Sequence, residues 1–554
     1  MAFNTVNKRK TKPSPGPLAT KAVPTGLTGN GAPGYAYEDK SALFQLAVNS
    51  FFGQKKFYES AKAGDGRFVA LVRKVAQVDP MWMINFTSWL RASGNMRASA
   101  VVASVEAALV MSKQKWATYP WVSDGVNNQG PARQMAKAGI GRADEIGEAM
   151  AYYEATYPNT QLPKPLKRAW ADALVEQVNQ YTAAKYDGDS KAWKLADLIN
   201  VLHPKAREQW QADLFGYLVA KQYGEVAIPA SLTRLAYRDS LMKLDVAARR
   251  ILVNSPQGAQ VLKDAGMTWE ALAGWLQGPM DKAAWEAIIP SMGYMALLRN
   301  LRNFDEAGVS GRAFMQAHSK LADPEQVKWS KQFPFRFLAA YKAAPNLRWA
   351  SALSMALDAS LDNIPKLAGR TLVLVDTSGS MNVAFSEHSE MKRWDAAALF
   401  GIALGLSSEG VDVVSYSNHG KVFGVRKGAD TLGELKRWGT EGYNLNGGTN
   451  TFGVLQGAYR NHDRVIILTD EQVNYRRRTY PNFQGLYEDQ SPLDKLVGPT
   501  THVFSFNLAG YQYGQAPTGK FRHTFGGLTD ACFPMIDMIE RAQAGRWPWE
   551  QVEA

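Results

Sequence analysis

The chain holds a single cysteine, Cys532, among its 554 residues. One thiol permits neither a disulfide framework nor a thiolate zinc site, and it fits a reducing compartment, the cytoplasm. Histidine is nearly as scarce. The seven present, at 203, 318, 388, 419, 462, 502 and 523, never stand four apart, so the paired-histidine signature of zinc hydrolases is missing. Long apolar runs are absent too: no stretch of ~18 apolar residues occurs. The first thirty positions also lack the apolar core of a secretion signal, so neither a membrane span nor export is expected.

What remains is the composition of a packed globular chain, with 46% hydrophobic and 21% charged residues, 16 tryptophans and 22 tyrosines. The length suggests about two to four domains. Acid is in short supply in one part only. From Pro365 onward there are 19 basic and 20 acidic residues, leaving 44 against 31 upstream, so the whole excess behind the net charge of +12 lies in the first 364 residues. A one-sided excess is the electrostatic footprint of an anion-binding module, most often one for nucleic acid.

Three regions follow from pattern. Residues 1–34 are rich in Pro, Gly, Thr and Lys, with five basic side chains and no acid. Such a segment buries too little apolar area to offset its ordering entropy and reads as a flexible basic tail. Residues 35–360 carry apolar positions at i, i+3, i+4 and i+7, as in NMRASAVVASVEAALVM and KPLKRAWADALVEQVNQYTAAKY, with short Gly, Pro, Asp or Asn breaks. This predicts an all-α stack of helix pairs without an exact repeat. Residues 365–554 alternate strands and helices, beginning with TLVLVDTS and continuing through VDVVSYSN, RVIILTDEQ and THVFSFNL. Nearly continuous apolar strands between helices predict a doubly wound α/β sheet, whose ligands bind beyond the carboxyl ends of the strands.

One such end is Asp376-Thr377-Ser378-Gly379-Ser380. A serine nucleophile would need the G-x-S-x-G elbow and a base, and neither is at hand. The phosphate-loop signature is missing, and a phospho-aspartyl D-x-D site would need a carboxylate where Ser378 stands. Helix-capping Ser and Asp alone could account for DTSGS. A hard-cation site draws on more of the sequence: Asp376, Ser378 and Ser380 in one loop, Thr449 in NGGTN and Asp470 in VIILTDE. Two carboxylates and three hydroxyls suit Mg²⁺ that keeps waters and leaves a position for an acidic ligand from outside.

D-x-S-x-S at 376–380, a Gly-Gly-Thr loop at 449 and a strand-end aspartate at 470 resemble the metal-ion-dependent adhesion site of von Willebrand factor A domains. Upstream, FFGQKKFYES at 51–60, AKYDGDSKAWKLADLINVLHPKAR at 184–207 and YMALLRNLRNFDEAGV at 294–309 resemble the TROVE module of the Ro 60-kDa autoantigen family, including its bacterial members. That resemblance implies a HEAT-like helical-repeat ring followed by an A domain. It also implies a non-enzymatic, monomeric RNA-binding protein that holds Y-like RNA on its basic surface and takes the single-stranded ends of structured or misfolded non-coding RNAs into the ring. Bacterial relatives are thought to present such RNAs to an exoribonuclease. Lys185 and His203 match positions the family uses for RNA. Where the family places an arginine, this chain has Asp187-Gly188-Asp189-Ser190.

The residues themselves point the same way. Lys164, Lys167, Arg168, Lys185, Lys191, Lys194, Lys205 and Arg207 are interleaved with Trp170, Tyr181, Tyr186, Trp193 and Trp210. Cations neutralise phosphates while aromatic faces stack on unpaired bases. The competing explanations are core packing for the tryptophans, a helix-end hydrogen bond for His203 and a solvated face for the lysines. A second function class, a Mg²⁺-dependent protein-interaction adaptor, stays open beside RNA binding, as does a metal-dependent nuclease at Asp376 and Asp470.

Overall fold

In a computed structural model the described residues are 26–27, 33–36, 39–49, 61–93, 96–114, 130–188, 191–330, 332, 334–343, 346–361, 366–384, 391–471, 492–509, 513–514, 521–526, 536 and 540. The fold class is the one expected: helices from Asp39–Asn49 to Leu347–Leu361, then a six-stranded α/β unit. The motif FFGQKKFYES, Asp189, Ser190 and Cys532 lie outside the described residues.

Short polar residues start the helices by satisfying amides that no helical carbonyl can reach. Asp79 caps Pro80–Ala92 by accepting from the Trp82 amide at 3.0 Å, with Pro80 preset for the first turn. Asp245, Thr268, Asp281 and Ser310 do the same for Val246–Asn254, Trp269–Leu276, Lys282–Ile288 and Gly311–Ala322. Each such cap contributes ~1 kcal/mol. Arg97–Ser112 is buried around most of its circumference and packs against Ala61–Val78, Pro80–Ala92, Pro131–Ala138 and Ala143–Thr156. Its small Ala, Ser and Val side chains allow that many neighbours. Glu106, fully buried in the same helix, accepts from Arg73 Nε at 2.8 Å, Tyr152 Oη at 2.7 Å and Tyr157 Oη at 2.8 Å. A buried carboxylate without those donors would cost several kcal/mol.

Six strands make the sheet: β3 is Thr371–Asp376, β4 Val411–Tyr416, β5 Gly420–Phe423, β6 Arg464–Thr469, β7 His502–Asn507 and β9 Arg522–Gly526. They lie in the order β5–β4–β3–β6–β7–β9, and all pairs are parallel except β4–β5. The chain leaves β3 for β4 on one side and returns to β6 on the other. The carboxyl ends of β3 and β6 therefore flank the switch point where doubly wound sheets hold ligands.

Alternation along β3 divides two cores. Leu372 and Leu374 face Val414, Phe452, Val465 and Ile467, while Val373 and Val375 join a core continuous with that of the helical region. Arg393–Ser407 covers the second face closely at Gly401, where a Cβ would stand 2.9 Å from Val375 Cγ2. The helical run meets the α/β unit at both ends. Asp39–Asn49 packs on β9, and Leu347–Leu361 packs on Thr431–Thr440, with Asp358 accepting from Thr431 Oγ1 at 2.5 Å. Lys342 pairs with Asp395 at 2.5 Å beside that junction.

Gly26–Leu27 forms β1 and pairs with β2, Pro33–Ala36, and Tyr35 and Ala36 of β2 pair in turn with β8, Tyr513–Gly514. The rest of the 1–34 segment lies outside the described residues.

Candidate metal centre and nucleic-acid surface

Asp376 is the last residue of β3 and wholly buried. Its Oδ1 accepts from the Ser378 amide at 2.9 Å and its Oδ2 from Thr469 Oγ1 at 2.7 Å. Ser378 Oγ and Ser380 Oγ stand 3.3 Å apart. Ser378 is buried and Ser380 half-buried, so the pair reaches from the interior toward solvent. The loop bearing Thr449 is stitched to this one through the backbone: the Gly379 amide donates to the Gly447 carbonyl at 2.9 Å and the Asn446 amide to the Thr377 carbonyl at 2.9 Å. Gly447 has φ +96°, a conformation that side-chain-bearing residues rarely adopt. Thr449 follows, 3% exposed. Asp470 directly follows β6, the parallel neighbour of β3, and is also buried.

Burial first, and the charge of Asp470 second, push the Asp376 carboxyl up to about 7. Two buried carboxylates that oppose each other's ionisation, with hydroxyls around them, form a donor set that a hard divalent cation would relieve. The residues fit such an ion: Asp376, Ser378, Ser380, Thr449 and Asp470 would hold it. Among the described residues no group of three or more His, Cys, Asp and Glu that could hold a metal gathers, here or elsewhere, so the candidate set consists of two carboxylates and three hydroxyls.

Sequence reading missed the support around this set. Thr469 Oγ1 donates to Asp376 while accepting from the Glu471 amide at 3.1 Å. Glu471 is itself buried, has φ 65°, and accepts from Ser505 Oγ. Thr377 ties Ser415, the Tyr416 carbonyl and the Leu445 amide together. Strand register held the missing signal, because Thr469 and Asp376 are each the sixth residue of adjacent in-register strands.

The structure spreads the helical candidates out. Lys164, Lys167 and Arg168 lie in the first turns of Lys164–Gln177, whereas Arg207 pairs at 3.4 Å with Glu176 near the far end of that helix. At 1.5 Å per residue the two groups are roughly 12 Å apart or more along the axis. Lys185, in Gln180–Tyr186, is exposed, with its ammonium 5.6 Å from the Tyr181 ring centroid and 5.1 Å from that of Tyr186. Arg142 lies over the second of these rings, 4.8 Å from the Tyr186 centroid, a neighbour that no local sequence pattern shows. His203 ends Leu195–Leu202 in the left-handed conformation (φ 52°) with an exposed side chain. Its amide donates to the Ile199 carbonyl at 2.9 Å. The backbone makes the helix end, and the ring is left to solvent.

Lys191 stands 3.8 Å from Asp144, and the Lys194 amide donates to Asp197 at 3.2 Å. Lys191 also lines a small cavity of about 70 Å³, partly open to solvent, together with Asp144, Glu148, Tyr186 and Trp193 among others. Of the aromatics interleaved with the cations, Trp170 is fully buried and belongs to the core, the packing role weighed for it from the sequence, because its helix turns that position inward. Trp193 donates to Glu154 and Trp210 to Glu208, while Tyr181 is 38% exposed and available.

Comparison with known proteins adds two findings. Residues 264–354 match the family model described as the TROVE domain. The fold as a whole is similar to the crystal structure of Deinococcus radiodurans RO (RSR) protein, at 17% sequence identity and a TM-score of 0.60, covering 92% of this chain and 100% of that one. No curated protein matches the chain. This chain thus carries a segment similar to the TROVE domain within a fold similar to that of a bacterial RO (RSR) protein.

Proposed function

We propose that the protein binds RNA through its helical region and serves as a scaffold for non-coding RNA. The observation that carries this reading is that the segment similar to the TROVE domain and the chain's basic excess both lie upstream of Pro365. Exposed Lys185 between two tyrosine rings, with Arg142 and His203 on the same part of the fold, supports it as a surface that couples phosphate charge to base stacking. The ligands are Y-like RNA and structured or misfolded non-coding RNAs, recognised by shape and charge, with single-stranded ends taken into a monomeric ring. The role in the cytoplasm is RNA quality control or processing, with an exoribonuclease as partner.

The α/β unit is the adaptor in this reading, an A-type domain with Mg²⁺ at Asp376, Ser378, Ser380, Thr449 and Asp470. When bound, the ion supplies an open coordination position for a carboxylate of a partner protein. The chain's own groups do the positioning: Thr469 and the Ser378 amide hold the two oxygens of Asp376, and backbone bonds tie the loop that bears Thr449 to the 376–380 loop. The protein is a binding protein in this assignment, not an enzyme.

Sequencing of RNA crosslinked to the native protein, together with affinity measured between low and moderate salt, tests the reading. A steep fall of affinity with salt is expected. A flat dependence, with no RNA recovered, favours the second reading, in which the buried Asp376–Asp470 site makes a Mg²⁺-dependent protein adaptor and RNA is incidental. Mg²⁺-dependent turnover of RNA by purified protein would instead establish a nuclease.

A further inference from the structure

Arginines in this protein are usually matched by acid: Arg73 by Glu106, Arg91 by Glu145, Arg133 by Asp172, Arg464 by Glu540 and Arg522 by Asp494, each at 2.5–2.8 Å. Arg299 and Arg336 depart from that pattern. Arg299 ends the helix Tyr294–Arg299, and Arg336 lies in Pro334–Ala343, which packs on it with Tyr294 and Phe337 edge to face at 6.1 Å. Both arginines keep solvent access. Among the described residues neither has an ion pair or hydrogen bond. Enough protein surrounds the Arg336 guanidinium to hold it below the ordinary arginine value, with the charge of Arg299 as the second cause. The nearby carboxylate of Asp323 is taken up at the start of its own helix, accepting from the Glu325 amide at 2.9 Å.

Crowding two like charges together without a counter-charge is unfavourable, and an anion that both guanidiniums can fork onto removes the penalty. A third helix, Pro324–Ser330, packs on the same Tyr294–Arg299 helix and carries Trp329, 80% exposed. An indole so far out of the core gains nothing from folding, and it offers a flat face within the same group of three helices. Cations beside an unused aromatic face fit single-stranded nucleic acid better than an acidic peptide, which needs no stacking surface.

We propose that Arg299 and Arg336 form a phosphate site for single-stranded RNA, with Trp329 stacking on a neighbouring base. This rests on the RNA-binding reading above but concerns residues that reading does not use, more than a hundred positions downstream of Lys185.

The test uses the full chain and a fluorescent decauridylate, with affinity measured by anisotropy over a salt series. R299Q and R336Q are each expected to weaken binding about tenfold, and the log–log salt slope to fall by ~0.7 for each phosphate that is no longer neutralised. W329A is expected to weaken binding about tenfold with the slope unchanged. R299Q/R336Q should melt no lower than the wild type, since it removes a like-charge pair, and this verifies that the variant folds. If the double variant binds decauridylate with wild-type affinity and slope, the proposal is overturned. Inorganic phosphate separates this result from failure of the broader reading. A phosphate-dependent rise in Tm that the double variant loses supports the anion site. If the wild type binds no RNA of any kind, the RNA occupant is overturned even where the phosphate effect persists. A polyglutamate peptide bound more tightly than decauridylate through the same two arginines would likewise overturn it.

Discussion

Thr469 Oγ1 donates to Asp376 Oδ2 at 2.7 Å across the junction of β3 and β6, while the Ser378 amide holds the other oxygen at 2.9 Å. The carboxylate most central to the candidate metal centre is therefore oriented by a residue outside the candidate ligand set. Thr469→Val, nearly the same size, removes that donor. Divalent-ion affinity, read by calorimetric titration of Mg²⁺ or Mn²⁺, is expected to fall roughly 10- to 100-fold with the fold intact. Unchanged affinity would show that Thr469 has no part in the centre.

Asp376→Asn tests the charge balance. The folded carboxyl lies at about 7, above its ordinary value, so its contribution to metal-free stability is present at low pH and lost as pH rises through 7. In chelator-treated protein the variant should melt higher than the wild type, by roughly 3 °C or more at pH 8 and by less at pH 5. The Mg²⁺-dependent rise in Tm should vanish. A variant that melts lower at pH 8 would show that repulsion between Asp376 and Asp470 does not govern the site.

Lys185→Glu and Trp170→Ala should separate surface from core. Lys185 is exposed, so the charge reversal should lower RNA affinity about tenfold or more and reduce the salt slope, with Tm unchanged. Trp170 is fully buried, so its truncation should cost ~3–5 kcal/mol of stability, read by denaturant unfolding. If Lys185→Glu instead lowers stability and leaves binding alone, the lysine is structural.

His523 Nε2 lies 3.1 Å from His502 Nδ1 between β9 and β7. Burial, followed by the charges of His502 and Arg522, holds His523 down to about 3, and burial lowers His502 as well. A folded value below the unfolded ~6.5 means that the unfolded chain binds more protons. The contribution is therefore complete above pH ~6.5 and is lost as pH falls toward 3. Unfolding free energy should decline by roughly 2–4 kcal/mol more between pH 7 and 4 in the wild type than in His523→Phe. Equal acid limbs in the two proteins would remove the histidine pair from the account.

The two-part architecture was legible because hydrophobic period is a local property. TLVLVD and RVIILT could be placed as buried strands, and their last residues as strand ends, without knowing what they pair with. Trp170 was not legible in the same way. Cation and aromatic spacing is identical for a solvated helix face and a core-facing one until neighbouring helices decide which side is covered. The β2–β8 pairing of Pro33–Ala36 with Tyr513–Gly514 joins segments nearly 480 residues apart in sequence, which no window could connect.

By itself the sequence determined the order of a helical region and an α/β unit, the side of that boundary on which the positive charge lies, and the strand ends that present Asp376 and Asp470. Tertiary structure alone decided that Thr469 orients Asp376, that Arg142 covers Tyr186, and that the helices bearing Arg299 and Arg336 pack on one another. Periodicity and charge count are written residue by residue along the chain. Register across strands and the meeting of distant helices are set by how the whole chain packs.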